Sequence, residues 1–149
     1  MEVKRILWPT DFSKNAAQAL PYITSLTEKY QAEIHLLYVM EPPQSEQPGC
    51  GELEPVHLDK ISKWEEKVGK RQLDEICNRY LCACPRYIKH IAVGDPAQEI
   101  LKLIKEERIG MVVMAKHGSK GHFRVGSVSR KVMENSFVPV VTIPIGSKN

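Results

Sequence analysis

Short apolar runs alternate along this chain with stretches whose apolar residues recur at helical spacing. The runs predict five β-strands, at residues 3–8, 32–40, 86–94, 109–115 and 138–143. The intervening stretches predict helices at residues 14–30, 56–81 and 96–108, with a shorter one beginning at Ser127. A regular alternation of strands and helices favours an α/β fold, in which helices cover both faces of a parallel sheet.

The connections between the strands predict their order in the sheet. Right-handed crossovers, with a reversal of direction after the third strand, give an open, doubly wound, five-stranded sheet of order 3-2-1-4-5. We expect this Rossmann-like sheet to form a single domain over residues 1–149. In such sheets ligands bind outside the carboxyl ends of the strands where the order reverses, here between strands 1 and 4. The segments that leave those two ends are residues 9–13 and 115–121.

Local signals refine this architecture. Pro21 falls inside the first helix, where it removes one backbone hydrogen bond, so we expect a kink there. Residues 41–55 are rich in proline and glycine and predict an exposed loop. Asp95 precedes Pro96 and is expected to cap the helix that follows. The long helix is expected to direct its apolar residues inward, namely Leu58, Ile61, Trp64, Val68, Leu73 and Ile76.

Charge and composition limit the classes of partner. The net charge of +3 is too small to indicate nucleic-acid binding by itself. Lys and Arg but no acid lie between Glu107 and Glu134, yet no aromatic platform or RNA-binding motif accompanies them. No apolar run approaches the roughly 20 residues that span a bilayer, and the start of the chain lacks the apolar core of a signal peptide. We therefore expect no membrane partner, no nucleic acid and a cytoplasmic location.

The cysteines are expected to be reduced in that compartment. Cys77, Cys82 and Cys84 do not have the usual spacing of zinc ligands. We expect inert, partly buried thiols.

The segment VVMAKHGSKGHFRVGSVSRKV, residues 112–132, combines glycines, hydroxyls and positive charges. Gly118, Gly121 and Gly126 leave no side chain between the backbone and a ligand. Ser127 begins a helix whose free N–H groups carry partial positive charge, and Ser129 adds a second hydroxyl. The combination suits a di- or triphosphate. The alternative is a mobile surface loop followed by a serine N-cap.

Two other residues beside the predicted ligand edge have alternative interpretations. Asp11 either accepts a hydrogen bond from an adenine amino group or a ribose hydroxyl, or is a turn residue that caps the first helix. His117 either donates to a phosphate or is a solvated loop residue.

Signatures of common enzyme classes are absent from the sequence. It contains no G-x-x-x-x-G-K-[ST] loop, no G-x-G-x-x-G after strand 1 and no G-x-S-x-G elbow. No paired carboxylates or His/Cys cluster suggest hydrolytic or metal chemistry. The sequence therefore does not indicate an enzyme. The alternative is a slow ATPase or phosphotransferase, in which Asp11 or His117 would be the general base.

Four segments together resemble the universal stress protein family. They are ILWPTDFSKNAAQAL at 6–20, IHLLYVME at 34–41, VGDPAQEIL at 93–101, and MAKHGSKG with GSVSRKVMENSFVPVVTI within 114–143. The resemblance covers nearly the whole chain. Its most specific part is the combination of P-T-D-F-S near the start with H-G-x-x-G and G-S-V near the end.

The ATP-binding branch of that family implies a set of nucleotide contacts in this chain. Asp11 and the backbone of Val39 would contact adenine, and residues of strand 4 and the last helix would contact ribose and phosphates. With the two loops, the candidate residues are Thr10, Asp11, Val39, Met114, Ala115, His117, Gly118, Gly121, Gly126, Ser127, Val128 and Ser129. The implied cofactor is ATP or AMP, with Mg or Mn on the phosphates.

Two departures from the branch bear on the length of that nucleotide. The family pattern has a glycine where this chain has Ala115, and it has a longer span than the seven residues between Gly118 and Gly126 here. A shorter loop would hold the phosphates differently or prefer a shorter nucleotide.

The resemblance also implies a homodimer in which the last strand, Pro139 to Ile143, pairs across a two-fold axis. An apolar terminal strand at the edge of a sheet fits that role. The leading hypothesis is therefore a dimeric stress-response regulatory protein that binds ATP or AMP and signals by conformation. A nucleotide-free interaction module is the alternative from another class.

Overall fold

The computed structural model describes residues 2–42, 55–82, 86–117 and 126–144, with the side chains of 55–59 and 61 excepted. Its strands are β1 (Arg5–Pro9), β2 (Glu33–Met40), β3 (Tyr87–Val93), β4 (Met111–Ala115) and β5 (Val140–Ile143). They form one parallel sheet of order β3-β2-β1-β4-β5. The predicted order and fold class are confirmed.

The helices are α1 (Lys14–Ala17), α2 (Leu20–Tyr30), α3 (Pro55–Tyr80), α4 (Pro96–Glu106) and α5 (Ser127–Asn135). The prediction of one kinked helix over 14–30 is wrong, because the helix is interrupted between Ala17 and Leu20. Pro21 lies in the first turn of α2, where its missing N–H has no intrahelical partner to lose. No helix in the described ranges combines the length and apolarity needed to cross a membrane.

Two apolar cores lie on opposite faces of the sheet. Ile6 and Trp8 of β1 face the core formed with α1, α2 and α3, whereas Leu7 faces the core formed with α4 and α5. Successive residues of a strand point to opposite faces, so a strand buried on both sides is a continuous apolar run. This explains why β1 and β4 have almost no polar residue.

Side-chain caps determine where helices α1 and α4 begin. The Ser13 hydroxyl accepts from the Ala16 N–H at 3.1 Å at the start of α1. The Asp95 carboxylate accepts from the Gln98 N–H at 3.1 Å at the start of α4, as predicted.

Helix α3 departs from the predicted inward pattern at Trp64, which is 65% exposed. Leu73 is fully buried, and Val68 and Ile76 are half-buried. The prediction for Trp64 is wrong because α3 outreaches the sheet: at 1.5 Å per residue its 26 residues extend about 39 Å, against about 26 Å for the eight residues of β2. Leu58 and Ile61 are among the side chains that the structure does not describe.

Candidate functional site

Hydrogen bonds hold the loop from β1 to α1 at the carboxyl end of the sheet. The Thr10 N–H donates to the Leu37 carbonyl at 2.9 Å, which extends the β1–β2 ladder by one residue. The buried Thr10 hydroxyl accepts from the Phe12 N–H at 3.1 Å. Phe12 has a φ of 61°, so the chain turns sharply here and exposes the neighbouring Asp11.

Asp11 has features of both of its predicted roles. Its Oδ1 accepts from the Ser13 N–H at 3.0 Å, which stabilises the turn before α1. Ser13, not Asp11, caps that helix. The exposed Asp11 side chain also lines a cleft, so it is accessible to a ligand.

This cleft, which we call the aromatic cleft, has a volume of about 400 Å³. It lies where the carboxyl end of β2 meets α3 and the β1–α1 loop. Its lining residues are Asp11, Tyr38, Val39, Met40, Glu41, Trp64, Glu65 and Val68. Three carboxylates and two aromatic side chains therefore surround one concavity, and none of the lining residues is Lys or Arg.

Tyr38 forms one wall of the aromatic cleft through close packing on both of its sides. Its ring centroid lies 4.5 Å from that of Phe12, with the two planes tilted by 43°. On the α3 side, a Cβ added to Gly69 would lie 2.7 Å from Cδ1 of Tyr38. Only a glycine allows the helix backbone to approach the ring this closely. Burial, and then the carboxylates of Glu65 and Asp11, raise the pKa of the Tyr38 hydroxyl.

The end of β4 provides the second part of the candidate site. Met114 is buried and Ala115 is half-buried, at the last two positions of the strand. The Lys116 N–H donates to the Ile143 carbonyl at 2.8 Å, and the Lys116 carbonyl accepts from the Gly126 N–H at 3.0 Å. The start of α5 therefore lies next to Lys116, the residue that follows β4. Gly118 and Gly121 lie outside the described residues.

Helix α5 begins at Ser127 without a side-chain cap, with Gly126 at the cap position. The first N–H groups of an α-helix have no intrahelical acceptor, and the helix dipole makes them favourable for an anion. Ser127 is exposed and Val128 half-buried at this terminus. Ser129 is buried, and its hydroxyl donates to the Ala115 carbonyl at 2.9 Å. The hydroxyl proton of Ser129 is thus already used within the protein.

His117 is 6% exposed, so the interpretation as a solvated loop residue is wrong. Its Nδ1 is buried and has no hydrogen-bond partner within the part of the chain that the structure describes. A buried polar atom without a partner costs free energy, roughly 1–3 kcal/mol, unless a water or ligand satisfies it. The structure does not bring His117 into the aromatic cleft.

Cys77 has the character expected of an inert thiol. It is buried, and this burial raises the pKa of its thiol to about 11. Cys82 is exposed, and its thiol donates to the Asn78 carbonyl. Cys50 and Cys84 lie outside the described residues. Among the described residues, no group of three or more His, Cys, Asp or Glu side chains could hold a metal ion.

The sheet topology brings these parts to one edge. Neighbouring strands are about 4.8 Å apart, so the ends of β2 and β4 lie about 10 Å apart on either side of β1. Asp11 and Val39 belong to the aromatic cleft, whereas Met114, Ala115 and Ser127–Ser129 lie at the β4–α5 end. Sequence reasoning found both loops but missed Tyr38, Glu41, Trp64 and Glu65.

The sequence contained a signal for part of the cleft wall that was not predicted. A crossover helix runs antiparallel to the strands that it connects, so its first turns lie near their carboxyl ends. Polar and aromatic residues early in α3 were therefore candidates for the ligand edge.

Comparison with family models matches residues 2–144 to the universal stress protein family. Universal stress protein MJ0577 of Methanocaldococcus jannaschii is 26% identical over 152 residues, which cover 94% of each chain. The solved structure of MJ0577 has a TM-score of 0.86 at 24% identity and covers 99% of this chain and 100% of its own.

Two more distant solved structures contain nucleotides. A universal stress protein in complex with cAMP has a TM-score of 0.67 at 16% identity, covering 97% of this chain and 98% of that one. A universal stress protein from Archaeoglobus fulgidus in complex with dAMP has a TM-score of 0.64 at 18% identity, covering 96% and 99%. These likenesses show the shared fold, and the family match extends over nearly the whole sequence. This chain belongs to the universal stress protein family.

Proposed function

We propose that this protein binds an adenine nucleotide, ATP or AMP, at the carboxyl edge of its sheet and acts as a homodimeric regulatory protein in a stress response. The observation that carries the proposal is the placement of two complementary sites on one edge. The aromatic cleft lies at the ends of β1 and β2, and the uncapped start of α5 follows the end of β4. A nucleotide has a flat base at one end and an anion at the other, so its two ends suit the aromatic cleft and the start of α5.

The base would occupy the aromatic cleft. The Asp11 carboxylate accepts hydrogen bonds only, so it suits the exocyclic amino group of adenine or a ribose hydroxyl. Val39, the penultimate residue of β2, lines the same cleft and supplies backbone polar groups. Thr10 holds the loop that presents Asp11. The family relatives in complex with cAMP and dAMP support a nucleotide of this class.

The phosphates would lie at the start of α5. The amides of Ser127, Val128 and Ser129 belong to the first turn, where an anion is stabilised by the helix dipole and by direct N–H donation. Lys116 lies beside this terminus, because its carbonyl accepts from Gly126. Gly118, Gly121 and His117 complete the proposed phosphate loop. Mg or Mn would be held mainly by phosphate oxygens, which such hard cations prefer.

The homodimer would form through β5. This strand has one neighbour, β4, in the described sheet, so its other side is an edge. Val140, Val141 and Thr142 are half-buried, and apolar strands at an edge favour pairing with another strand. Pro139 to Ile143 is therefore the segment proposed to pair across a two-fold axis.

Calorimetric titration with AMP and ATP tests the proposal, with Ser127→Asp as the decisive variant. An acidic residue in the first turn stabilises a helix but repels a phosphate. We expect Ser127→Asp to keep or raise the melting temperature while weakening AMP binding at least tenfold. Ser127→Ala should weaken it less, because the backbone amides remain.

Adenosine is the matched control ligand, since it lacks the phosphate. Its affinity for Ser127→Asp should equal its affinity for the wild-type protein. Equal AMP affinity in both proteins would overturn the placement of the phosphates. Absence of AMP and ATP binding to the wild-type protein at millimolar nucleotide would overturn the proposed function.

A further inference from the structure

Trp64 is the largest side chain that the described part of the chain exposes within a concavity. It is 65% exposed, although tryptophan residues are usually well buried. It lines the aromatic cleft with Tyr38, Val39 and Asp11. An indole that lies free at the wall of a cleft provides a flat apolar surface for a planar ligand.

We infer that Trp64 is the stacking platform for the nucleotide base, so that it supplies much of the affinity for the nucleoside part and none for the phosphates. This inference rests on the proposed function, because it places the base in the aromatic cleft. It assigns a binding role to a residue of α3, an element outside the two loops that flank the strand 1/strand 4 crevice.

The helix backbone at Trp64 is held by the packing of α3 farther along the helix. Gly69 brings the helix backbone against Tyr38, and Leu73, about one turn farther along, is fully buried. Trp64 lies five residues before Gly69, so the contact that forms the wall of the cleft also positions the helix backbone from which the indole projects. A tryptophan side chain has only two rotatable side-chain bonds, so it loses little conformational entropy when a base stacks on it.

The polar lining is compatible with two classes of ligand, a flat nucleobase and an organic cation. Asp11, Glu41 and Glu65 surround the cleft and accept hydrogen bonds, so the amino group of a base would be satisfied there. The same carboxylates beside an indole could also attract an organic cation. The nucleobase is favoured because the start of α5 lies on the same edge and suits the phosphate of that ligand.

The chain contains two tryptophans, which makes the inference directly measurable. Trp8 is 1% exposed, so the neutral quencher acrylamide should reach Trp64 far more readily than Trp8. We expect saturating AMP to protect Trp64 from acrylamide. Ribose 5-phosphate, which has no base, should not protect it.

Calorimetry on Trp64 variants gives the affinity. Replacing an aromatic residue that stacks on a base with alanine weakens binding roughly 5- to 150-fold. We therefore expect Trp64→Ala to weaken the binding of AMP and of adenosine by a factor in this range. Trp64→Phe should retain most of the wild-type affinity for both ligands. Ribose 5-phosphate should bind equally to the wild type and to the two Trp64 variants. Tyr22→Ala, which truncates an aromatic residue of α2 that is 53% exposed and does not line the cleft, is the matched control and should bind AMP as the wild type does.

The outcomes separate this inference from the proposed function. Unchanged AMP affinity in Trp64→Ala, with no protection of Trp64 by AMP, would overturn the inference and leave nucleotide binding in place. Protection by spermidine but not by AMP would show a cation site and would also overturn it. If neither AMP nor adenosine binds the wild-type protein, the proposed function fails and the inference fails with it.

Discussion

The hydroxyl of Ser129 donates a hydrogen bond to the carbonyl oxygen of Ala115, 2.9 Å away, and ties the first turn of α5 to the end of β4. Ser129 is buried, whereas Ser127, two residues earlier, is exposed at the same terminus. The two hydroxyls that the sequence presents as equivalent donors therefore differ in role. One fixes the helix to the sheet, and the other faces the proposed phosphate position.

Replacing Ser129 with alanine should destabilise the protein. The variant leaves the Ala115 carbonyl without its side-chain donor, which costs roughly 1–3 kcal/mol when the group is buried. Urea unfolding should show this loss in the free energy of unfolding. The free energy of unfolding of Ser127→Ala should lie within about 0.5 kcal/mol of the wild-type value, because the Ser127 side chain is exposed. Equal stability of the two variants would show that the Ser129–Ala115 contact contributes nothing.

Replacing Gly69 with alanine should also destabilise the protein, although alanine is the better helix former. The gain in helix propensity is about 1 kcal/mol. The new Cβ would lie 2.7–2.8 Å from ring atoms of Tyr38, and overpacking of this kind costs about 1–3 kcal/mol. The expected net loss in the free energy of unfolding is up to about 2 kcal/mol, measured by urea denaturation.

A double-mutant cycle isolates the cause of that loss. In a Tyr38→Leu background the ring is absent, so Gly69→Ala should become neutral or stabilising. The coupling between the two changes should be at least about 1 kcal/mol, as for residues in direct contact. A loss of the same size in both backgrounds would mean that the glycine is required for another reason.

The sequence predicts the sheet well because strands and caps have local signals and the connections between strands follow a general rule. Each buried strand is an apolar run, Asp95 caps α4 through its own side chain, and crossover handedness orders the strands. The break before Leu20 was not predictable, since a proline inside a helical pattern fits either a kink or a new first turn. Only packing against the sheet decides between them.

The candidate site was predictable in its loops and not in its far wall. Residues such as Asp11 and Ser127 lie where chain direction and topology place them. Trp64 has the spacing of a core residue, and helical periodicity does not indicate where the sheet ends beneath a long helix. Neither the exposed indole nor the cleft that it lines therefore follows from the sequence.

Acidification should destabilise the protein through His90. Burial, and then His35, lower the pKa of His90 below its usual value of 6.5, and Glu107 opposes this more weakly. The unfolded chain therefore takes up this proton more readily than the folded chain. The stabilisation is complete above about pH 6.5 and is lost as the pH falls through that value toward the lower folded pKa.

The contact that His90 makes suggests the control variant. Its Nε2 lies 2.9 Å from Nδ1 of His35, whose Nε2 lies 2.9 Å from Oε1 of Glu33. With the Glu33 carboxylate accepting, Nε2–H of His90 donates to His35. His90→Gln keeps a donor without titrating, so its melting temperature should fall less between pH 7.5 and 5.5. An equal fall in both proteins would exclude His90 as the source.

A proline at position 142 should dissociate the proposed homodimer without unfolding the subunit. The Pro139 carbonyl accepts from the N–H of Val112 in β4, and the Ile143 carbonyl accepts from the N–H of Lys116, the residue after β4. Alternate residues of a parallel strand face the same neighbour, so the N–H of Thr142 points away from β4 toward the open edge. Thr142→Pro removes an edge donor only, which strands tolerate.

Light scattering coupled to size-exclusion chromatography measures this prediction. The wild-type protein should have the mass of a dimer, and Thr142→Pro should have that of a monomer with a melting temperature lowered by only a few degrees. Val141→Pro is the matched control, since its N–H faces β4 and its loss breaks the internal ladder, so that variant should melt far earlier. A Thr142→Pro protein that remains dimeric would place the interface elsewhere, because β5 pairing cannot proceed across a proline that lacks the edge N–H.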